Sequence, residues 1–164
     1  MIYIAIGSNL KSRFGNKFIN IKKTISLLRK KKIVFLKISN FYKTPSYPNK
    51  KFPNFINIVA KIKFSGTALD LLDAALKVEK FMGRIRSLKN SPRTCDIDII
   101  DFKSKKVNTK KLILPHPRLT QRNFVLFPLN EINPNWTHPI NNQKIDFLIK
   151  KMNLKLRNEI TKKI

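Results

Sequence analysis

The chain carries one cysteine, Cys95, so no internal disulfide can form and a reducing compartment is expected. No secretory leader is expected, since Met1 runs straight into Ile2-Tyr3-Ile4-Ala5-Ile6, without a basic segment in front. That run is too short to cross a bilayer, and the other apolar runs are strand-sized too. No repeat, low-complexity block or linker divides the sequence. A soluble, cytoplasmic protein is expected, with residues 1–164 forming a single domain able to build its own core. Acidic residues are scarce as well, with 9 Asp and Glu against 35 Lys and Arg, a net charge of +26.

So basic a chain should attract polyanions, and a nucleic-acid-binding module is one reading. The make-up of the charge favours another. Lysines number 27 and arginines only 8, and the lysines are spread over every segment, as on solvated faces. Arginine, the fork-shaped donor, more often marks phosphate contacts. Four of the eight (Arg84, Arg86, Arg93, Arg122) cluster with the motifs below. In a chain so poor in carboxylates, Asp96, Asp98 and Asp101 within six residues need a reason.

Residues 2–6 predict a buried strand, closed by the turn formers Gly7-Ser8-Asn9. Phe14, Phe18, Ile21, Ile25 and Leu28 recur at helical spacing. A strand is expected over 33–42, then a stiff loop 44–53 holding Pro45, Pro48 and Pro53. In the strand 55–64, Ile56, Ile58, Ala60, Ile62 and Phe64 share one face, and Phe55 and Asn57 the other. Thr67 opens a second helix with Asp70 as capping partner, and Gly83 ends it after Leu71, Ala75, Val78 and Met82. A basic loop, 84–92, leads to a strand over 94–102 and a short one at 112–114. Beyond 115 the sequence is punctuated by proline, with a helix predicted near 143–152. The order βαββαβ with later additions predicts an α+β fold: a mostly antiparallel sheet, helices packed on it and C-terminal additions.

The chemistry centres on Pro92-Arg93-Thr94-Cys95-Asp96-Ile97-Asp98. On a strand, Asp96 and Asp98 project to one face and Cys95, Ile97 and Ile99 to the other. Two carboxylates so close repel unless a cation sits between them, and magnesium is commonly held by one or two aspartates with water and substrate phosphates. Arg93 nearby, and Arg84 and Arg86 on a loop after a helix, could neutralise a polyphosphate. His116, fixed between Pro115 and Pro117, and Arg122 could contact a nucleotide. Phe124 and Phe55 could both be core, but Phe55, sharing its face with polar Asn57, suggests a half-open pocket for a flat heterocycle. Trp136 and His138 are given no partner and are taken as structural.

These segments resemble the 6-hydroxymethyl-7,8-dihydropterin pyrophosphokinase (2-amino-4-hydroxy-6-hydroxymethyldihydropteridine diphosphokinase) family of folate biosynthesis. The resemblance rests on Ile6-Gly7-Ser8-Asn9-Leu10, Phe41-Tyr42-Lys43-Thr44-Pro45, Phe55-Ile56-Asn57, Gly83-Arg84-Ile85-Arg86, Pro92 to Asp98, and Pro115-His116 with Arg122-Asn123-Phe124, in that order. It implies a ferredoxin-like fold and transfer of diphosphate from ATP to the pterin hydroxymethyl group, releasing AMP. It further implies two magnesium ions on Asp96 and Asp98, and a pterin between Phe55 and Phe124, near Asn57, Thr44, Pro45 and Tyr47. Arg84 and Arg93 would grip the polyphosphate, and His116 and Arg122 would contact ATP. Arg86, Ile99, Lys111 and Ile113 match further nucleotide-side positions.

Two departures from the family pattern stand out. Asn90-Ser91 replaces a tryptophan-glycine pair common before the Pro-Arg, and Phe55 replaces a common tyrosine. The alternatives are a basic RNA-binding module or a catalytically silent nucleotide-binding homologue. No membrane, no specific nucleic acid and a monomer are expected.

Overall fold

The computed structural model describes residues 1–85 and 91–163. Its strands and helices run β1 (Ile2–Ser8), α1 (Lys17–Lys30), β2 (Val34–Ile38), β3 (Phe41–Thr44), β4 (Phe55–Lys63), α2 (Ala68–Phe81), β5 (Asp96–Phe102), β6 (Val107–Asn108), β7 (Ile113–Leu114), α3 (Asn123–Ile132), α4 (Ile145–Lys151), α5 (Leu154–Asn158) and β8 (Thr161–Lys163). In the main sheet β5, β1, β4, β3 and β8 are neighbours in that order, β2 lies beside β3 along the same edge of β4, and every pairing is antiparallel. This is the βαββαβ arrangement expected from the sequence, with β2 and β3 together filling one strand position.

The expected strand over 33–42 breaks at Ser39-Asn40 because polar side chains capture the backbone. Ser39 Oγ accepts the Val59 N–H at 3.0 Å. Asn40 turns its own N–H and its side chain onto Glu131 Oε1, at 3.2 and 2.5 Å. The turn expected at Gly7-Ser8-Asn9 begins later than predicted. β1 continues through Ser8, because Gly7 and Ser8 still pair with Asn57 and Ile56.

Both helices predicted in the first half form as the pattern requires. Asn16 caps α1 by accepting the Phe18 and Ile19 N–H groups, and Thr67 and Asp70 form a reciprocal capping box on α2. Their apolar stripes close over one sheet face, where Ile21, Leu28, Leu71, Ala75, Val78 and Met82 meet Ile2, Ile4, Ile6, Ile58 and Ile62.

The second sheet face is covered by the C-terminal additions. Tyr3, Ala5, Val59 and Ile100 pack there against Val125, Leu126, Leu129 and Ile132 of α3, and Ile145 and Leu148 of α4. Burial on both faces explains why β1 reads as a continuous apolar run. Helix α3 is absent from the sequence expectation because Pro128 lies inside it. An internal proline costs a helix about 3 kcal/mol. Full burial of Val125, Leu126 and Leu129 is worth about 1.5–3 kcal/mol each, so tertiary packing overrides the local penalty. RNA-reading sheets need an open face for stacked bases; here α1 and α2 cover one face and α3 and α4 much of the other.

Strand β5 carries a bulge: Ile99 pairs with Ile4 but Asp101 with Tyr3, leaving Ile100 as the extra residue. Ile100 enters the α3 side of the core, and Asp101, buried, accepts the Trp136 Nε1–H at 3.0 Å and the Ser104 N–H at 2.9 Å. Asp101 is thereby separated from Asp96 and Asp98, and Trp136 gains the partner that sequence reasoning could not name. Removing only the acceptor strands a buried indole N–H, which costs about 1–3 kcal/mol. Asp101→Ala is therefore expected to lose about that much stability in denaturant unfolding, and Trp136→Phe placed on top of it should add little. Strictly additive losses would show that this bond does not couple the two residues.

Candidate active site

The site lies on the α3 face of the sheet and begins as a row of paired residues. Gly7 of β1 stands opposite Asp96 of β5 on one side and Asn57 of β4 on the other, and Asn57 stands opposite Tyr42 of β3. In the next row Ala5 separates Asp98 from Val59. The strand between the carboxylates and the β4 residues thus carries no side chain, then a methyl, and the Asn57 side chain leans over the bare position. A Cβ on Gly7 would come within 2.6 Å of Asn57 Oδ1. Asn57 is buried and donates to Thr44 Oγ1 at 3.1 Å.

Three arginines converge on the two carboxylates. Arg84 Nη1 lies 2.5 Å from Asp96 Oδ1 and also contacts Glu79, and Arg93 Nη2 lies 2.8 Å from Asp96 Oδ2. Arg122, at the N-terminus of α3, reaches Asp98 Oδ2 at 2.5 Å. Glu79 is buried at the C-terminal end of α2 and also accepts the Ile97 N–H at 2.8 Å, which ties the helix that leads into Arg84 to the strand that carries Asp96. Burial pushes the Asp96 carboxyl up, but the Arg93 and Arg84 guanidiniums outweigh it and hold the group below the usual carboxylate range.

Two aromatic rings lie against the same arginines. Arg93 Cζ sits 5.0 Å from the Phe55 ring centroid and Arg122 Cζ 5.4 Å from that of Phe124, so each aromatic wall is covered by an arginine that also holds a carboxylate. Thr44 is buried, Pro45 is partly exposed and Tyr47 is open to solvent on the 44–53 loop. His116 joins β5 through its N–H to Ile100 O at 3.0 Å. Its Nδ1 accepts the Arg118 N–H at 3.1 Å, leaving Nε2 as the donor. Burial, then the positive charges of Arg122 and Arg118, push its pKa down against the opposing pull of Asp98, so it is neutral at pH 7.

Other expected positions fall elsewhere. The Ile99 side chain is buried in the α1/α2 core, so only its backbone faces outward. Lys111 and Ile113 are exposed at the β6–β7 hairpin. Arg86 lies outside the described residues. Cys95 is buried against Thr24 Oγ1 at 3.3 Å, and burial pushes its thiol to about 12, which leaves it without nucleophilic character at neutral pH.

One residue that builds the site was given no role from sequence. Asn9 is buried; its Oδ1 accepts the Arg93 N–H at 2.7 Å, and its Nδ2 donates to Ser46 Oγ and Pro53 O, both at 3.1 Å. The Asn9 and Leu10 N–H groups return to Arg93 O at 3.0 and 3.2 Å. A single amide therefore locks the arginine segment to the 44–53 loop across β1. Its partners are far away in sequence, so no local pattern points to them.

Among the described residues, no group of three or more His, Cys, Asp or Glu side chains could hold a metal by itself. Asp96 and Asp98 offer two hard oxygen donors on one face, and a cation here must take its remaining ligands from water and a bound anion. That donor set suits magnesium with a phosphate-bearing substrate.

Comparison with known proteins gives the chain's family. The profile described as 7,8-dihydro-6-hydroxymethylpterin-pyrophosphokinase (HPPK) matches residues 3–134. The chain is 39% identical over 142 residues to the 2-amino-4-hydroxy-6-hydroxymethyldihydropteridine pyrophosphokinase of Aquifex aeolicus, covering 85% of this chain and 84% of that protein. It is 35% identical over 139 residues to the folic acid synthesis protein FOL1 of Dictyostelium discoideum, covering 85% of this chain but only 20% of that longer protein. In fold it matches a Plasmodium falciparum HPPK-DHPS crystal structure with pterin and p-hydroxybenzoate at a TM-score of 0.70 and 15% identity, over 98% of this chain and 46% of that one. With most of its length matched by the family profile and by a full-length relative, the chain belongs to the 7,8-dihydro-6-hydroxymethylpterin-pyrophosphokinase family.

Proposed function

We propose that this protein transfers the terminal diphosphate of ATP to the hydroxymethyl oxygen of 6-hydroxymethyl-7,8-dihydropterin, releasing AMP. The observation that carries the reading is the placement of Asp96 and Asp98, with Arg84, Arg93 and Arg122 upon them, across a bare strip of β1 from Asn57 and Phe55. A polyphosphate and a flat polar heterocycle would then lie side by side over one strand.

Asn57 and Thr44 would bind the pterin edge, and Phe55 and Phe124 its faces, once Arg93 and Arg122 move from the rings onto phosphate. Backbone groups near Pro45 and Tyr47 would complete that end. Arg84 and Arg93 would exchange Asp96 for phosphate oxygens and so orient the β-phosphorus in line with the pterin oxygen. His116 would donate from Nε2, and Arg122, with Arg86, Lys111, Ile113 and the backbone of Ile99, would complete the nucleotide side. Magnesium, two ions in this reading, would be held by Asp96 and Asp98 and would offset the negative charge of the phosphate chain. No protein nucleophile takes part, in keeping with the buried, protonated Cys95.

As part of the same proposal, residues 1–164 act as one monomeric, cytoplasmic catalytic domain. A net charge of +26 opposes self-association, and no helix among the described residues is long and apolar enough to cross a membrane.

The test is to mix protein, magnesium, ATP and the hydroxymethyl-dihydropterin; AMP and pyrophosphorylated pterin should appear in equal amounts. Asp96→Asn and Asp98→Asn should each lower turnover about a hundredfold or more with the fold retained by circular dichroism. Near-normal turnover in either variant at saturating magnesium would refute the metal assignment. Arg93→Ala should reduce kcat far more than Lys63→Ala, which removes an exposed charge at the far end of β4. Equal losses would mean that only bulk charge matters.

A further inference from the structure

We infer that residues 153–163 form a strap that fixes the width of the pterin end of the cleft, with Asn123 as the positioning residue through which it acts. The inference rests on the proposed function for its substrate, and on geometry for its existence.

The strap lies beyond the stretch matched by the family profile, which ends at residue 134. It comprises α5 and β8, and it touches the site's two walls without entering the site. Asn123, wedged between Arg122 and Phe124, is buried and donates from Nδ2 to Leu156 O in α5 at 2.6 Å. Its Oδ1 accepts the Phe124 N–H at 2.7 Å. The rotation of the first turn of α3, and with it the Phe124 ring, is therefore referenced to the strap. At the other wall β8 pairs with β3, Thr161 opposite Lys43 and Lys162 opposite Tyr42, next to Thr44. Lys50 on the 44–53 loop reaches Glu159 Oε1 at 2.5 Å. Lys162 lies 3.6 Å from Glu131, the α3 carboxylate that also accepts from Tyr42 Oη at 2.7 Å.

A segment that served only general stability would bury apolar surface. No residue of α5 is fully buried, only Leu156 packs partly against the α3/α4 core, and all three residues of β8 are exposed. What the strap contributes is a set of polar tethers, each within a few residues of a group that would touch the pterin. The Lys50–Glu159 pair is half exposed and weak alone; the backbone ladder to β3 and the buried Asn123 bond are the strong members.

Two variants test this: a chain ending at Met152, and Asn123→Asp, which keeps the acceptor for the Phe124 N–H and removes the donor to Leu156. Steady-state kinetics should show the pterin KM raised about fivefold to tenfold, with kcat and the ATP KM within about twofold. Amide exchange should quicken about tenfold at residues 122–126 in both variants and, in the shortened chain, also over 41–53, with the rest of the sheet unchanged. Unchanged exchange at both walls overturns the strap, whether or not the protein turns over pterin. Faster exchange with an unchanged pterin KM overturns its role in width. A parallel fall in kcat and thermal midpoint in both variants would make the segment merely structural, and that too defeats the inference. If the unaltered protein yields no AMP, the proposed function fails separately, and the exchange measurement still decides the strap.

Discussion

The site depends on a register. Because β1 pairs with β4 and β5 so that Gly7 faces Asn57 on one side and Asp96 on the other, two demanding groups are held one strand apart with no β1 side chain between them. Shifting either pairing by one residue would turn the carboxylates or the amide into the α1/α2 core. The isoleucines of β1, alternating into that core, resist such a shift. Apolar packing on one face thus fixes polar chemistry on the other.

Electrostatics supplies the second constraint. Two carboxylates and Glu79 are concentrated around a small volume, and Arg84, Arg93 and Arg122 neutralise them. Breaking one partner of such a pair is costly, whereas exchanging partners keeps every charge compensated. Under the proposed function, binding a metal–polyphosphate would be an exchange of this kind, arginine to phosphate and carboxylate to cation. The same arginines cover Phe55 and Phe124, so their departure would uncover the rings as the phosphates arrive.

Much of this was legible in the sequence where periodicity or a cap is local. The α1 and α2 stripes, the alternation around Asp96 and Asp98, and the shared face of Phe55 and Asn57 follow from spacing alone. Other features were hidden because their causes are distant. Helix α3 survives Pro128 only through burial against the sheet, and the strand break at Asn40 needs Glu131, which lies 91 residues on. The bulge at Ile100 makes sense once Trp136 awaits a carboxylate. Asn9 reads locally as a turn residue, and only the folded chain shows it tying Arg93 to Ser46 and Pro53.

The bare strip of β1 can be tested directly. A methyl at position 7 needs no unusual backbone but meets Asn57 Oδ1 at 2.6 Å, so Asn57 must turn away from Thr44 while the sheet persists. Calorimetric titration of hydroxymethyl-dihydropterin into Gly7→Ala, with a non-hydrolysable ATP analogue and magnesium present, should give a pterin Kd raised by about tenfold or more, the worth of one buried polar bond or two. Nucleotide affinity should stay near normal. Unaltered pterin affinity in a folded Gly7→Ala protein would contradict the account.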